Sequence, residues 1–205
     1  MNAAAPTADP AAATGGSGPA SVAITVAYGF CIFLLSDIIM FSAMFASYAV
    51  LTPRIAGGPG PRELFELRPA GIETLCLLFS SFTCGLGVLA VEHRRMRMFF
   101  ICFALTFVLG AAFLALELSE FSRLLAAGAG PARSAFLSAF FSLVGLHGVH
   151  IAAGLLWLTF NVAQIAVNGP LEFVIRRLGC FGLFWHALDI VWVGILTLVY
   201  LMGAR

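Results

Sequence analysis

Lysine is absent from this sequence: all eleven basic residues are arginine, and charged residues make up only 10% of the 205. A soluble domain carries roughly 25% charged residues, so these are too few to cover a water-facing surface. The formal net charge of +1 provides no electrostatic attraction for nucleic acid or for an acidic substrate. No CxxC pair occurs. The five cysteines (Cys31, Cys76, Cys84, Cys102 and Cys180) are odd in number and scattered through apolar segments, which excludes a disulfide framework and leaves free, buried thiols. No alternating pattern of about ten residues suggests a membrane β-barrel. A secretory signal peptide is not expected either, because residues 1–27 lack a basic start and the first apolar run is too long.

What the chain has is apolar length. It is 61% hydrophobic with a mean hydropathy of +1.01. A spanning helix needs about 20 mostly apolar residues, and five stretches qualify: about 28–51, 70–91, 98–119, 135–166 and 178–202. Their continuous Leu/Phe/Ala character predicts an all-α fold, an integral membrane bundle of five transmembrane helices spanning 28–203. Thr52-Pro53-Arg54 with Gly57-Gly58-Pro59-Gly60-Pro61, Glu92-His93-Arg94-Arg95, Gly128-Ala129-Gly130-Pro131 and Asn168-Gly169-Pro170 separate the spans. Residues 1–27 are expected to form a flexible tail, since the Ala/Pro/Gly/Ser-rich stretch to about Ser21 buries too little to order itself.

Orientation follows from the arginines. With the N-terminus inside, inner loops carry Arg94, Arg95, Arg97, Arg176 and Arg177, and outer segments carry Arg54, Arg62, Arg68, Arg123, Arg133 and Arg205. The counts nearly tie. The inner clusters are denser, which favours a cytoplasmic N-terminus and a periplasmic C-terminus.

Ionisable groups inside a membrane are expensive and mark where function resides. Asp37 falls in the first span, His147 and His150 in the fourth, and His186 and Asp189 in the fifth. At about 1.5 Å per residue these lie roughly 12–17 Å from the inner boundary, in one slab. Glu73, Glu117 and Glu120 form a second layer near the outer face, with Glu73 in a first turn behind Pro69 and Glu117 and Glu120 closing the third helix. Arg123 and Arg133 are the nearest partners for the last two. His147 and His150 are three residues apart on one helix face, so they cannot clamp both sides of one haem. A bis-histidine haem needs one of them with His186, and a metal site from His147, His150, His186 and Asp189 is geometrically conceivable. The plainer reading, internal scaffold satisfied across helices, is preferred. Asp37 is read either as a neutral acid bonded to a neighbour or as a proton-accessible or lipid-facing carboxyl. Arg94, Arg95 and Arg97 serve as topology anchors or hold a lipid phosphate.

Three segments together resemble one family. Gly29-Phe30-Cys31-Ile32-Phe33-Leu34-Leu35-Ser36-Asp37 with Phe41-Ser42 is similar to the helix in which subunit III of the haem–copper oxidases carries an intramembrane carboxylate. His147-Gly148-Val149-His150 with Gly154 and Trp157 resembles its HG-x-H-x3-G helix. Trp185-His186-Ala187-Leu188-Asp189-Ile190-Val191-Trp192 resembles its WH-x2-D-x-VW helix. Within the family the chain resembles the short five-helix form of cytochrome bo-type ubiquinol oxidases, on Gly57-Gly58-Pro59, Glu63-Leu64-Phe65-Glu66-Leu67 and Gly130-Pro131-Ala132-Arg133-Ser134.

The resemblance implies a non-catalytic accessory subunit of the bacterial inner membrane. Such a subunit binds no haem or copper itself, packs on the subunit I that carries them, holds phospholipid, and supports assembly and proton uptake. It also implies the N-in, C-out topology. Asp37 matches the buried family carboxylate, which in many relatives is Glu. His147, His150, His186 and Asp189 match motif positions as scaffold. Two other classes compete with this one. A haem-bearing membrane anchor of a quinone-linked dehydrogenase needs axial histidines on different helices. A small transporter needs an inverted repeat, which the sequence lacks.

Overall fold

A computed structural model describes residues 22–57, 60 and 67–203. Five helices succeed one another: α1 (Val22–Leu51), α2 (Leu67–Glu92), α3 (Met96–Ala126), α4 (Ala135–Asn168) and α5 (Glu172–Ile195), the last continuing as a π-helical turn over Leu196–Leu201. All five are long and apolar enough to cross a membrane. The described residues are thus all-α, with five helices of membrane-spanning length, as the apolar runs predict. Of the expected tail, residues 1–21 lie outside the described residues, and the helix itself starts at Val22 rather than about 28.

The helix ends are made by local chemistry. In α2, Pro69 sits in the first turn, where its missing N–H leaves no bond unmade. Ser134 caps α4, its side chain accepting from the Leu137 amide at 3.2 Å. Gly169 stops α4 with φ +76°. Helices α2 and α3 end in the same hydrogen-bonded pattern. The amide five residues on reaches back (Arg95 N to Ala90 O, 2.8 Å; Ala129 N to Leu124 O, 2.9 Å) around a residue in the left-handed conformation. In α3 that residue is Gly128, but in α2 it is Arg94, at φ +56°.

The α3 helix runs to Ala126 instead of closing near 119. Its last turns stay helical because Leu124 is buried and Arg123 lies 4.0 Å from Glu120, one turn earlier. Helices α2 and α3 pair as a hairpin, α5 packs between α2 and α4, and α1 lies on α4 and α5. Lipid is as apolar as leucine, so close packing and interhelical hydrogen bonds hold the bundle rather than hydrophobic exclusion. The tightly packed interior is aromatic: Trp185, Trp192, Phe103, Phe113, Phe136, Phe140 and Phe181 are all fully buried.

Candidate functional site

The ionisable residues that the sequence places in one slab are distributed along the helix contacts rather than gathered at a point. Asp37 of α1 faces His150 of α4, Oδ2 to Nε2, at 3.9 Å. His150 Nδ1 donates to the Leu146 carbonyl at 2.8 Å, so Nε2 is the nitrogen left to share a proton with Asp37. Beside them a hollow of about 10 Å³, lined by Leu34, Asp37, Phe41, Phe184 and Leu188 among others, is at the lower limit for one water.

His147 is fully buried. Its Nε2 donates to the Leu188 carbonyl of α5 at 3.3 Å. Phe113 meets the ring edge-on at 5.5 Å and Trp192 lies over it at 5.2 Å. His186 of α5 bonds through Nδ1 to Ser81 Oγ of α2 at 2.9 Å. Asp189 is half-buried, with Oδ1 lacking a partner. Together these contacts tie α1 to α4, α4 to α5, and α5 to α2. Among the described residues no group of three or more His, Cys, Asp or Glu is arranged to hold a metal ion.

The glycines of the fourth-helix motif are explained by what they touch. A β-carbon at Gly148 would run into the Glu117 carboxyl of α3, and one at Gly154 would stand 2.8 Å from the Trp185 ring. Both positions therefore require a hydrogen. The sequence reading missed the partners of the two motif tryptophans. Trp185 Nε1 donates to Ser80 Oγ and Trp192 Nε1 to Thr74 Oγ1, each at 3.0 Å. The available signal was four hydroxyls, Thr74, Ser80, Ser81 and Thr83, in a mostly apolar α2, in a chain whose buried indoles each need an acceptor.

The second layer is real but differently built. Glu73 belongs to the second turn of α2, not the first, so the helix terminus does not account for it. It is buried with both oxygens unpartnered. Glu117 and Glu120 lie within α3 rather than at its end, and both are buried. Glu120 accepts from the Tyr200 hydroxyl at 2.8 Å and approaches Arg123; Arg123 was an expected partner, Tyr200 was not. A cavity of about 420 Å³ opens between α2 and α3 there, lined by Arg68, Glu73, Leu116, Glu120 and Arg123. Arg94, Arg95 and Arg97 lie at the α2–α3 turn, all three exposed.

These features define a class: a membrane bundle in which buried polar groups lock helix to helix. Residues 10–204 match the family model for cytochrome c oxidase subunit III, and the chain belongs to that family. It is 48% identical over 177 residues to the cytochrome bo(3) ubiquinol oxidase subunit 3 of Pseudomonas aeruginosa, covering 86% of this chain and 85% of the relative. Identity to the quinol oxidase subunit 3 of Bacillus subtilis is 42% over 175 residues, with 85% and 86% covered. To the cytochrome c oxidase subunit 3 of Bacillus sp. it is 38% over 175 residues, with 85% and 84% covered.

Proposed function

We propose that this chain is the non-catalytic subunit III of a bacterial, proton-pumping ubiquinol:oxygen oxidoreductase. The observation that carries the reading is the 48% identity, along nearly the whole chain, to a ubiquinol oxidase subunit 3, against 38% to a cytochrome c oxidase subunit 3. The haems and copper belong to subunit I, on which this chain packs in the cytoplasmic membrane, N-terminus inside and C-terminus in the periplasm. Asp37 is the carboxylate that serves proton uptake or lipid retention, and Arg94, Arg95 and Arg97 anchor the topology or a lipid phosphate. His147, His150, His186, Asp189 and Glu73 act as internal scaffold.

Nothing favours a haem-bearing dehydrogenase anchor: the nitrogens of His147 and His150 that make hydrogen bonds are committed to helix carbonyls. The test is purification in mild detergent. The chain is expected to copurify with a larger haem-bearing polypeptide while showing no Soret band by itself. A haem spectrum from the isolated chain that is lost in His147→Ala would overturn the proposal.

A further inference from the structure

The cavity of about 420 Å³ between α2 and α3 has the size of a ligand site, about 300–1,000 Å³. It opens at the end of the hairpin opposite the Arg94-Arg95-Arg97 turn, and its polar groups are layered. Arg68 is one residue into α2 from Leu67, and Arg123 three residues before α3 ends at Ala126, about 1.5 and 4.5 Å along the helix axes. Glu73 and Glu120 are each six residues in from the same ends, about 9 Å. Two guanidinium groups therefore stand at the mouth and two carboxyls below them, with Ile72 and Leu116 in the walls.

Mouth and floor each hold a group that the chain leaves unmatched. Glu73 is 1% exposed, and neither of its carboxyl oxygens has a hydrogen-bond partner. A polar group buried in that way is costly, the more so inside a membrane span. Glu120 is served differently, by the Tyr200 hydroxyl. At the mouth Arg68 is exposed and makes no hydrogen bond or ion pair among the described residues, and the Arg123 side chain is 46% exposed. A matching occupant brings an anion to the mouth, a hydrogen-bonding group about 5–8 Å deeper, and apolar parts for the walls. A glycerophospholipid carries these in that order: phosphate, ester carbonyls, acyl chains. Arginine holds phosphate through paired N–H donors, and basic pockets between transmembrane helices take lipid headgroups. Glu73 as the acid donates its O–H to an ester carbonyl. A free phosphate ion would match the arginines and leave Glu73 and the apolar walls unmatched.

We infer that this cavity binds one glycerophospholipid, its phosphate held by Arg68 and Arg123 and an ester carbonyl held by Glu73. The inference goes beyond the accessory-subunit reading and needs only that α2 and α3 cross a membrane.

The test uses the full chain in detergent, depleted of lipid, with phosphatidylglycerol, diacylglycerol or inorganic phosphate added back and the unfolding midpoint followed by circular dichroism. Phosphatidylglycerol should raise the midpoint. Its apparent affinity should fall about fivefold in Arg68→Gln, the attraction of one basic residue for an anionic lipid. Glu73→Leu should lower it about threefold, the loss of one membrane hydrogen bond, and Glu73→Gln, which keeps an N–H donor, should restore most of that. Arg133→Gln removes the same charge at the same end of the bundle, outside every described cavity, and should change nothing. If Glu73→Leu does not fold, the exposed Arg68 carries the comparison. Diacylglycerol, which lacks the phosphate, should stabilise the chain far less. Equal stabilisation by diacylglycerol, or equal affinity in Arg68→Gln and Arg133→Gln, would overturn the inference, because no phosphate is then read at this mouth. So would stabilisation by inorganic phosphate at the same concentration, since the ligand is then the free anion, or unchanged affinity in a folded Glu73→Leu, since the lipid then lies outside the cavity. None of these results bears on copurification with a haem-bearing polypeptide, so the subunit reading stands or falls separately.

Discussion

The carboxyl of Glu117 lies directly against the α-carbon of Gly148, so α3 and α4 approach each other across a contact that only glycine permits. Substituting Gly148→Ala forces the Glu117 side chain or one helix to move, at a cost of about 1–3 kcal/mol for overpacking. Thermal unfolding in detergent, monitored by circular dichroism, should show the loss. Glu117→Asp in the same chain should recover part of it, because the shorter side chain withdraws. Gly29→Ala is the control, since nothing lies within 4 Å of a β-carbon there.

The two motif tryptophans separate packing from hydrogen bonding. Trp185→Phe removes the donor to Ser80 together with part of the ring packed on Gly110 and Gly154, so it should cost more than the membrane average of about 0.6 kcal/mol for such a bond. Trp185→Ala also empties the space against Gly154 and should cost about 3–5 kcal/mol. Equal losses in the same unfolding assay would mean that the volume a phenyl ring keeps contributes nothing and that the donor and the outer part of the indole carry the whole effect.

The α2–α3 turn carries a stabilising mutation. Arg94 holds a left-handed conformation that costs a side-chain-bearing residue about 1 kcal/mol and glycine almost nothing. Arg94→Gly should therefore raise the unfolding midpoint, and Arg94→Val should lower it. A fall with glycine would show that the guanidinium contributes more than the backbone strain removes.

Asp37 is tested in the assembled enzyme. Asp37→Ala should leave the initial rate of quinol oxidation near normal while activity declines faster in sustained turnover. An immediate, complete loss with the haems intact would assign it a direct catalytic role.

The number and order of the helices were legible because each apolar run is long enough to span a bilayer and each break carries Gly, Pro or Arg. Positions near the boundaries were not. Val22–Ala27 is as apolar as the rest of α1, so composition alone does not mark where a tail gives way to the helix, and polar residues at α3's end hid a helix that continues past Glu120. That Asp37 and His150 fall at one level was legible from helical rise alone, and so was Arg123 as a partner for Glu120. Which groups touch was not, because a contact such as Gly148 with Glu117, or Tyr200 with Glu120, depends on the rotation of one helix against another. Tyr200 gave no signal, as a tyrosine near a span's end is ordinary interfacial material.

The seat of α1 on α4 and α5 has a consequence for biogenesis. Helix α1 leaves the ribosome before α4 and α5, on which it packs, so at ordinary elongation rates it waits on the order of ten seconds for them. During that interval Asp37 has no His150 to face. The nascent chain is then most exposed to membrane proteases and most dependent on the insertion machinery, and slowing synthesis between α1 and α4 lengthens that vulnerable period.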